Sequence, residues 1–243
     1  MKPDEAVEPE PLPPPTPAAV AVFGDRLGLA ERYATHLSTT GVTHGLIGPR
    51  EVPRLWERHV VNCAVLTDLL PEGGRVIDIG SGAGLPGITL AVRRPDLEVV
   101  LVEPLLRRVV WLEVVVQDLE LTDRVTVRRA RAEDLAGELS APFVTARAVA
   151  PLERLAHWGL PLLDANGSML AIKGRSAQEE LDGVTDLLTR ADCTAQVVQA
   201  GDGLLDEPTL VVRIDRGAGD LPDLNGRPGA SKKKPKKQAR RPR

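Results

Sequence analysis

Arg75-Val-Ile-Asp-Ile-Gly-Ser-Gly-Ala-Gly-Leu-Pro-Gly87 is the stretch that decides the fold. Its first five residues form a short apolar run, the pattern of a parallel strand buried on both faces. Glycines at 80, 82, 84 and 87 follow, and then a helix is predicted from about Leu85 to Arg94. Glycine lets backbone approach a ligand closely, and the start of a helix presents free N–H groups. In open α/β sheets the ligand lies beyond the carboxyl ends of the strands, at a switch point. This turn stands in such a place.

Outward from the turn, strands and helices alternate. Glu98–Glu103 reads as a second strand and Pro104–Glu120 as its helix. Arg124–Arg129, Pro142–Ala146 and Gly167–Lys173 read as further strands, with a helix over Leu152–Leu163 and another over Ala177–Ala191. Cys193–Val198 and Thr209–Ile214 read as two last strands, antiparallel or hairpin-like. This alternation predicts a doubly wound α/β sheet. Before it, Ala18–Thr40 and Pro49–Leu70 carry apolar residues at helical spacing, and Pro53 sits inside the second. Residues 1–17 hold seven prolines and are expected to be a disordered leader. Residues 217–243 are expected to be a disordered basic tail, which leaves one domain over 18–216.

Two cofactors fit the turn. Gly82-Ala-Gly84-Leu-Pro-Gly87 is a literal G-x-G-x-x-G, and Glu103 follows Gly82 by 21 residues, as in dinucleotide-binding folds. The full phrase, however, is D-x-G-x-G-x-G. A carboxylate at Asp78 opposes a pyrophosphate and suits the ammonium group of S-adenosyl-L-methionine. Glu103, ending the second strand, can accept both ribose hydroxyls of an adenosine in either case. Three functions stay open at this point: methyl transfer, NAD-dependent oxidoreduction, and a non-catalytic RNA-binding module with a vestigial cofactor site.

A wider set of motifs runs in order along the chain: Arg58-His59, Val76–Gly87, Val102-Glu-Pro-Leu-Leu-Arg-Arg108, Arg131-Ala-Glu133, Thr145-Ala-Arg-Ala148 and Ala171-Ile-Lys-Gly174. Together they resemble the RsmG family, also called GidB, over about Val42 to Ile214. The resemblance implies a Rossmann-like class I S-adenosylmethionine-dependent methyltransferase fold with N-terminal helices. It also implies methylation of guanine N7 in 16S rRNA. It places Gly80 and Leu85 at the cofactor, with Gly82 and Gly84 in the same turn. Ala132 and Glu133 fall on its adenine side, and Arg147 reaches the site. Asp78 and Glu103 are added by the strand-end argument.

Guanine N7 carries no proton, so methylating it needs no general base; positioning and charge stabilisation suffice. Accordingly no acid/base residue is expected, and Arg58, His59 and Lys173 are the positioning candidates. Arg50, Arg54 and Arg58 recur every four residues and would form one helical stripe. Arg107, Arg108, Arg128, Arg129 and Arg131 add cations for RNA phosphates. The plainer reading of these arginines is solvated surface paired with Glu51, Glu57 or Glu113. Trp56, Trp111 and Trp158 lie on apolar helical faces and read as core.

The formal net charge of −3 averages unlike parts. Residues 232–243 hold eight Lys or Arg and no acid, so residues 1–231 stand at −11. The leader accounts for −3 of that and the body for −8. An acidic body with a basic tail suggests a polyanionic partner, here 16S rRNA or the 30S ribosomal subunit, with the tail as a sequence-blind tether. No apolar run is long enough for a membrane span, so no membrane partner is expected. Cys63 and Cys193 form no CxxC pair and no metal cluster with the four His. A cytoplasmic monomer without a metal is expected.

Overall fold

The computed structural model describes residues 11–222 and residue 224. It contains a seven-stranded sheet in the order β3-β2-β1-β4-β5-β7-β6. The strands are β1 (Arg75–Ile79), β2 (Glu98–Val102), β3 (Val125–Arg128), β4 (Ala141–Arg147), β5 (Leu163–Lys173), β6 (Cys193–Ala200) and β7 (Thr209–Arg216). β1 to β5 are mutually parallel, whereas β7 pairs antiparallel with both β5 and β6. Chain order reverses between β1 and β4, so the switch point opens beside the glycine turn.

Strand alternation builds two layers of core. Val76, Val99 and Leu101 pack on one face of the sheet; Ile77, Val100 and Val102 pack on the other. The first face is covered by α4 (Gly87–Arg93), α5 (Leu106–Asp118) and the N-terminal helices. The second is covered by α6 (Leu152–Gly159), α7 (Ala177–Asp182) and α8 (Thr185–Arg190). Trp56 and Trp111 are buried, as read, while Trp158 is half-buried beneath the Arg154 guanidinium.

Three predicted helices differ in detail. Ala18–Thr40 is broken at Gly24, whose φ of +48° ends α1 (Pro17–Phe23) before α2 (Leu27–His36) and a π-helical turn over Leu37–Gly41. Ala177–Ala191 is interrupted at Gly183, between α7 and α8. Pro49–Leu70 is one helical path of changing pitch: 3₁₀ over Pro49–Arg54, which accommodates Pro53, π over Trp56–Val61, α3 (Asn62–Ala64), then 3₁₀ over Val65–Leu69.

The expected ends of the domain move outward. Leu12 packs on the core, the Trp56 indole donates to the Pro13 carbonyl at 2.9 Å, and Thr16 caps α1. Residues 11–17 therefore belong with the body rather than with a disordered leader. At the other end Gly217 hydrogen-bonds with Asp192 and Asn166, and Leu221 and Leu224 pack against the sheet's second layer. The expectations for residues 1–10 and for the basic run 232–243 lie outside the described residues.

Candidate active site

A cleft of about 750 Å³ lies at the switch point. The glycine turn, the loop after β2, the loop after β3 and the end of β4 line it. The turn has a shape only glycine gives. Gly80 has φ +66° and a Cβ there would stand 2.8 Å from the Val149 methyls; at Gly84 (φ +84°) it would stand 2.4 Å from Ile88 Cδ1. Gly80, Gly82 and Leu85 line the cleft, while Gly84 lies behind it against α4.

Glu103 stands at the end of β2, as read, and its side chain is 2% exposed. Its Oε2 accepts the Gly82 N–H at 3.0 Å and its Oε1 accepts the Leu105 N–H at 2.9 Å. The carboxylate thus braces the two loops that flank the cleft, with Arg108 Nη1 3.7 Å away. Since each oxygen has two lone pairs, one per oxygen stays available for a ligand.

Asp78 does not face the cleft. It is fully buried, and its Oδ2 accepts the Gly87 N–H at 3.1 Å, capping α4 from below the turn. Its Oδ1 has no partner among the described residues. Burial pushes its carboxyl up to about 7, opposed by the Ser81 and Gly87 donors and reinforced by the Glu103 charge. The expected direct contact with a cofactor ammonium is therefore corrected: Asp78 shapes the turn. From the same buried layer, the Tyr33 hydroxyl donates to the Ala83 carbonyl at 2.7 Å. In the sequence Tyr33 is one more position on the apolar face of the 18–40 stretch, with no local signal of this contact.

On the adenine side the side chains of Ala132 and Glu133 stand next to the cleft lining rather than in it. Ala132 is buried in the core and Glu133 points to solvent, 3.9 Å from Arg131. Their neighbours Ala130, Arg131 and Asp134 line the cleft instead. Arg108 and Arg129 join them on its rim; Arg128 is turned to Glu138.

Arg147 leaves the end of β4 and borders the cleft, but its guanidinium is spent on the N-terminal layer. Nη2 donates to the Arg58 carbonyl (2.9 Å) and to His59 Nδ1 (3.0 Å); Nη1 donates to Cys63 Sγ (3.0 Å) and to the His59 carbonyl (3.4 Å). Because Nδ1 accepts there, the His59 proton sits on Nε2, which donates to Glu51 Oε2 at 2.9 Å. Burial and then the Arg147 charge push His59 down, so the ring is neutral at pH 7. Glu51 is held below the usual carboxylate range by that hydrogen bond and by Arg58. Both Arg54 (3.1 Å) and Arg58 (3.3 Å) reach Glu51, so the plainer reading of the stripe, pairing with Glu51, holds for these two.

Lys173 is corrected as well. Its side chain is 8% exposed, and its Nζ donates at 2.8 Å to both Glu180 Oε2 and the Ala150 carbonyl. Glu180 also accepts the Leu152 N–H at 2.9 Å. The pair fastens the 148–151 loop to α7 and leaves no free ammonium for a substrate. Of the positioning candidates, Arg58 alone is exposed; it lines a neighbouring cleft.

A sheet in this order, with its cleft at a glycine turn between β1 and α4, defines the Rossmann-like class I methyltransferase fold. Solved structures share it: a methyltransferase from Pyrococcus furiosus (TM-score 0.50, 11% identity, 63% of this chain and 80% of that one) is one. A protein from Corynebacterium glutamicum (TM-score 0.53, 14% identity, 79% and 91%) is another. At these identities the likeness concerns fold alone.

The family follows from sequence. The model of the family described as rRNA small subunit methyltransferase G, GidB, matches residues 26–203, and the chain belongs to that family. Proteins called ribosomal RNA small subunit methyltransferase G are similar to it. That of Pseudarthrobacter chlorophenolicus is 56% identical, covering 81% of this chain and 91% of that protein. That of Kineococcus radiotolerans is 50% identical, covering 98% and 96%. Membership favours a methyl donor over the dinucleotide that the G-x-G-x-x-G pattern also allowed. No described helix is long and apolar enough to cross a membrane.

Proposed function

We propose that this protein transfers a methyl group from S-adenosyl-L-methionine to N7 of a guanine in 16S rRNA. The observation that carries the reading is the Glu103-braced glycine cleft at the switch point of a family member. The residues suit the cofactor: Glu103 retains acceptors for ribose hydroxyls, and Arg108 offers a cation for a carboxylate. Leu85, Leu105 and Ala130 give apolar wall. S-adenosylmethionine, when bound, supplies an electrophilic methyl.

The remaining work is positional. N7 offers an in-plane lone pair, so no residue has to remove a proton. Glu103 fixes the distance between the glycine turn and the α5 loop. Arg147, held by neutral His59, sets the N-terminal helical layer against the cleft, and the Lys173–Glu180 pair sets the 148–151 loop. Rim cations Arg108, Arg129 and Arg131, with the eight basic residues of 232–243, supply phosphate attraction. We place the enzyme in the cytoplasm as a monomer acting on 16S rRNA, free or within the 30S subunit.

The test is methyl transfer by the pure protein. Incubation with S-adenosylmethionine and either 16S rRNA or 30S subunits should yield 7-methylguanosine on nucleoside mass spectrometry. A different methylated nucleoside, or none on both substrates, contradicts the reading.

A further inference from the structure

Beside the cofactor cleft lies a larger one of about 1440 Å³, and the two share Arg147, Ala148 and Val149 as a common wall. The helical segment carrying Arg54, Glu57 and Arg58 forms one side of it, and the β6–β7 loop forms another. That loop is braced at both ends. A Cβ at Gly201 would meet Val65 at 2.8 Å, and the Leu204 and Leu205 amides both donate to the Gly201 carbonyl at 3.1 Å. At the far end Thr209 and Asn62 exchange hydrogen bonds at 2.7 and 3.1 Å. Between these anchors Asp206 lines the cleft, exposed and without an ion pair or hydrogen bond among the described residues. Its neighbour Glu207, by contrast, is committed to Arg175 at 3.1 Å.

These features match one base. Guanine alone presents two adjacent N–H donors, N1–H and N2–H, on its Watson–Crick edge; a carboxylate offers two acceptors at the same spacing. Adenine, cytosine and uracil each present an acceptor there, which a carboxylate repels. N7 lies on the other edge of the ring. A guanine gripped by its Watson–Crick edge therefore leaves N7 free to face the shared wall and the methyl donor beyond it. Leu204, Leu205 and Val149 offer apolar surface to the ring, and Arg54 and Arg58, two exposed cations sharing the single carboxylate of Glu51, keep N–H donors for flanking phosphates.

We propose that this second cleft receives the target guanine and that Asp206 reads its N1–H and N2–H. The proposal rests on the guanine-N7 reading above and names the residue that would give it base specificity. The experiment uses the full-length protein and 16S rRNA ligated to carry guanine or inosine at the methylated position. Inosine keeps N1–H and N7 but lacks the 2-amino group. The wild type should favour guanine in kcat/KM by about tenfold or more, the scale of one hydrogen bond to a charged group. Asp206→Ala should lower kcat/KM on guanine by about tenfold and bring the guanine-to-inosine ratio near one, with thermal unfolding unchanged. A variant that keeps the wild-type ratio overturns the proposal. So does a ratio that collapses in Glu57→Ala and not in Asp206→Ala. If the wild type forms neither 7-methylguanosine on the guanine RNA nor 7-methylinosine on the inosine RNA, the underlying reading fails first, and that outcome is distinct from an unchanged ratio.

Discussion

Arg147 and His59 meet across the switch point: Arg147 Nη2 lies 3.0 Å from His59 Nδ1, and the same guanidinium reaches Cys63 Sγ and two backbone carbonyls. One side chain from the end of β4 thus docks the N-terminal helical layer on the cofactor edge of the sheet. A planar fork spreads five N–H donors over three nitrogens, whereas an ammonium has three on a single nitrogen and cannot span all four of these acceptors. Arg147→Lys should therefore cost about 2 kcal/mol of stability in urea titration, the scale of two lost charged hydrogen bonds after partial replacement. It should also speed reaction of the buried Cys63 with a thiol reagent. Stability and thiol reactivity both unchanged would mean that the layer docks by its apolar face alone.

The Lys173–Glu180 pair is a second strut. Truncating Lys173 to Ala strands Glu180 and the Ala150 carbonyl, and should cost about 3 kcal/mol, in the range for breaking a mostly buried pair. Lys173→Met combined with Glu180→Leu should recover the part of that loss due to the stranded charge in the same denaturation assay, though the Ala150 carbonyl and Leu152 N–H stay without their partners. A double variant no more stable than Lys173→Ala would show that the loss comes from elsewhere.

Asp78 sets a pH dependence. Its carboxyl is raised from 3.8 to about 7 by burial, so the folded state holds the proton more tightly than the unfolded chain. Its contribution to stability is present in full below about pH 4 and is lost as pH rises toward 7. His59, pushed down, works in the opposite sense as pH falls below its unfolded value, so the wild-type curve mixes both. The difference between wild type and Asp78→Asn isolates the carboxyl. It should shift in favour of the variant as pH rises from 4 to 8. A difference flat with pH would mean that Asp78 ionises freely.

Glu103→Ala removes the acceptor for the Gly82 and Leu105 amides. We expect the affinity for S-adenosylhomocysteine to fall about 10- to 100-fold in calorimetry, equivalent to about 1–3 kcal/mol. Unchanged affinity would show that the carboxylate serves neither the loops nor the ligand.

The parts legible in the sequence were local. The apolar run before the glycines, the turn and the carboxylate 21 residues on place β1, α4 and β2, because strand length and helix spacing fix them. Asp78 was misplaced although strand alternation held the answer. It shares parity with Val76, so its side chain points under α4 rather than into the cleft. Partners far apart in sequence were out of reach. Arg147 finds His59 88 residues earlier, and only the fold brings them together. Lys173 and Glu180 are seven apart, but a turn separates them, and neither helical nor strand period predicts their contact. The Gly24 and Gly183 breaks were visible as glycines yet were outweighed by apolar spacing on either side.

The most direct test of the account is made in cells. Mapping 7-methylguanine in 16S rRNA from a strain lacking the gene should show one modified position lost. The wild-type gene should restore that position, and the Glu103→Ala gene should restore little or none of it. A methylation pattern unchanged by deletion would contradict the assignment to 16S rRNA guanine N7.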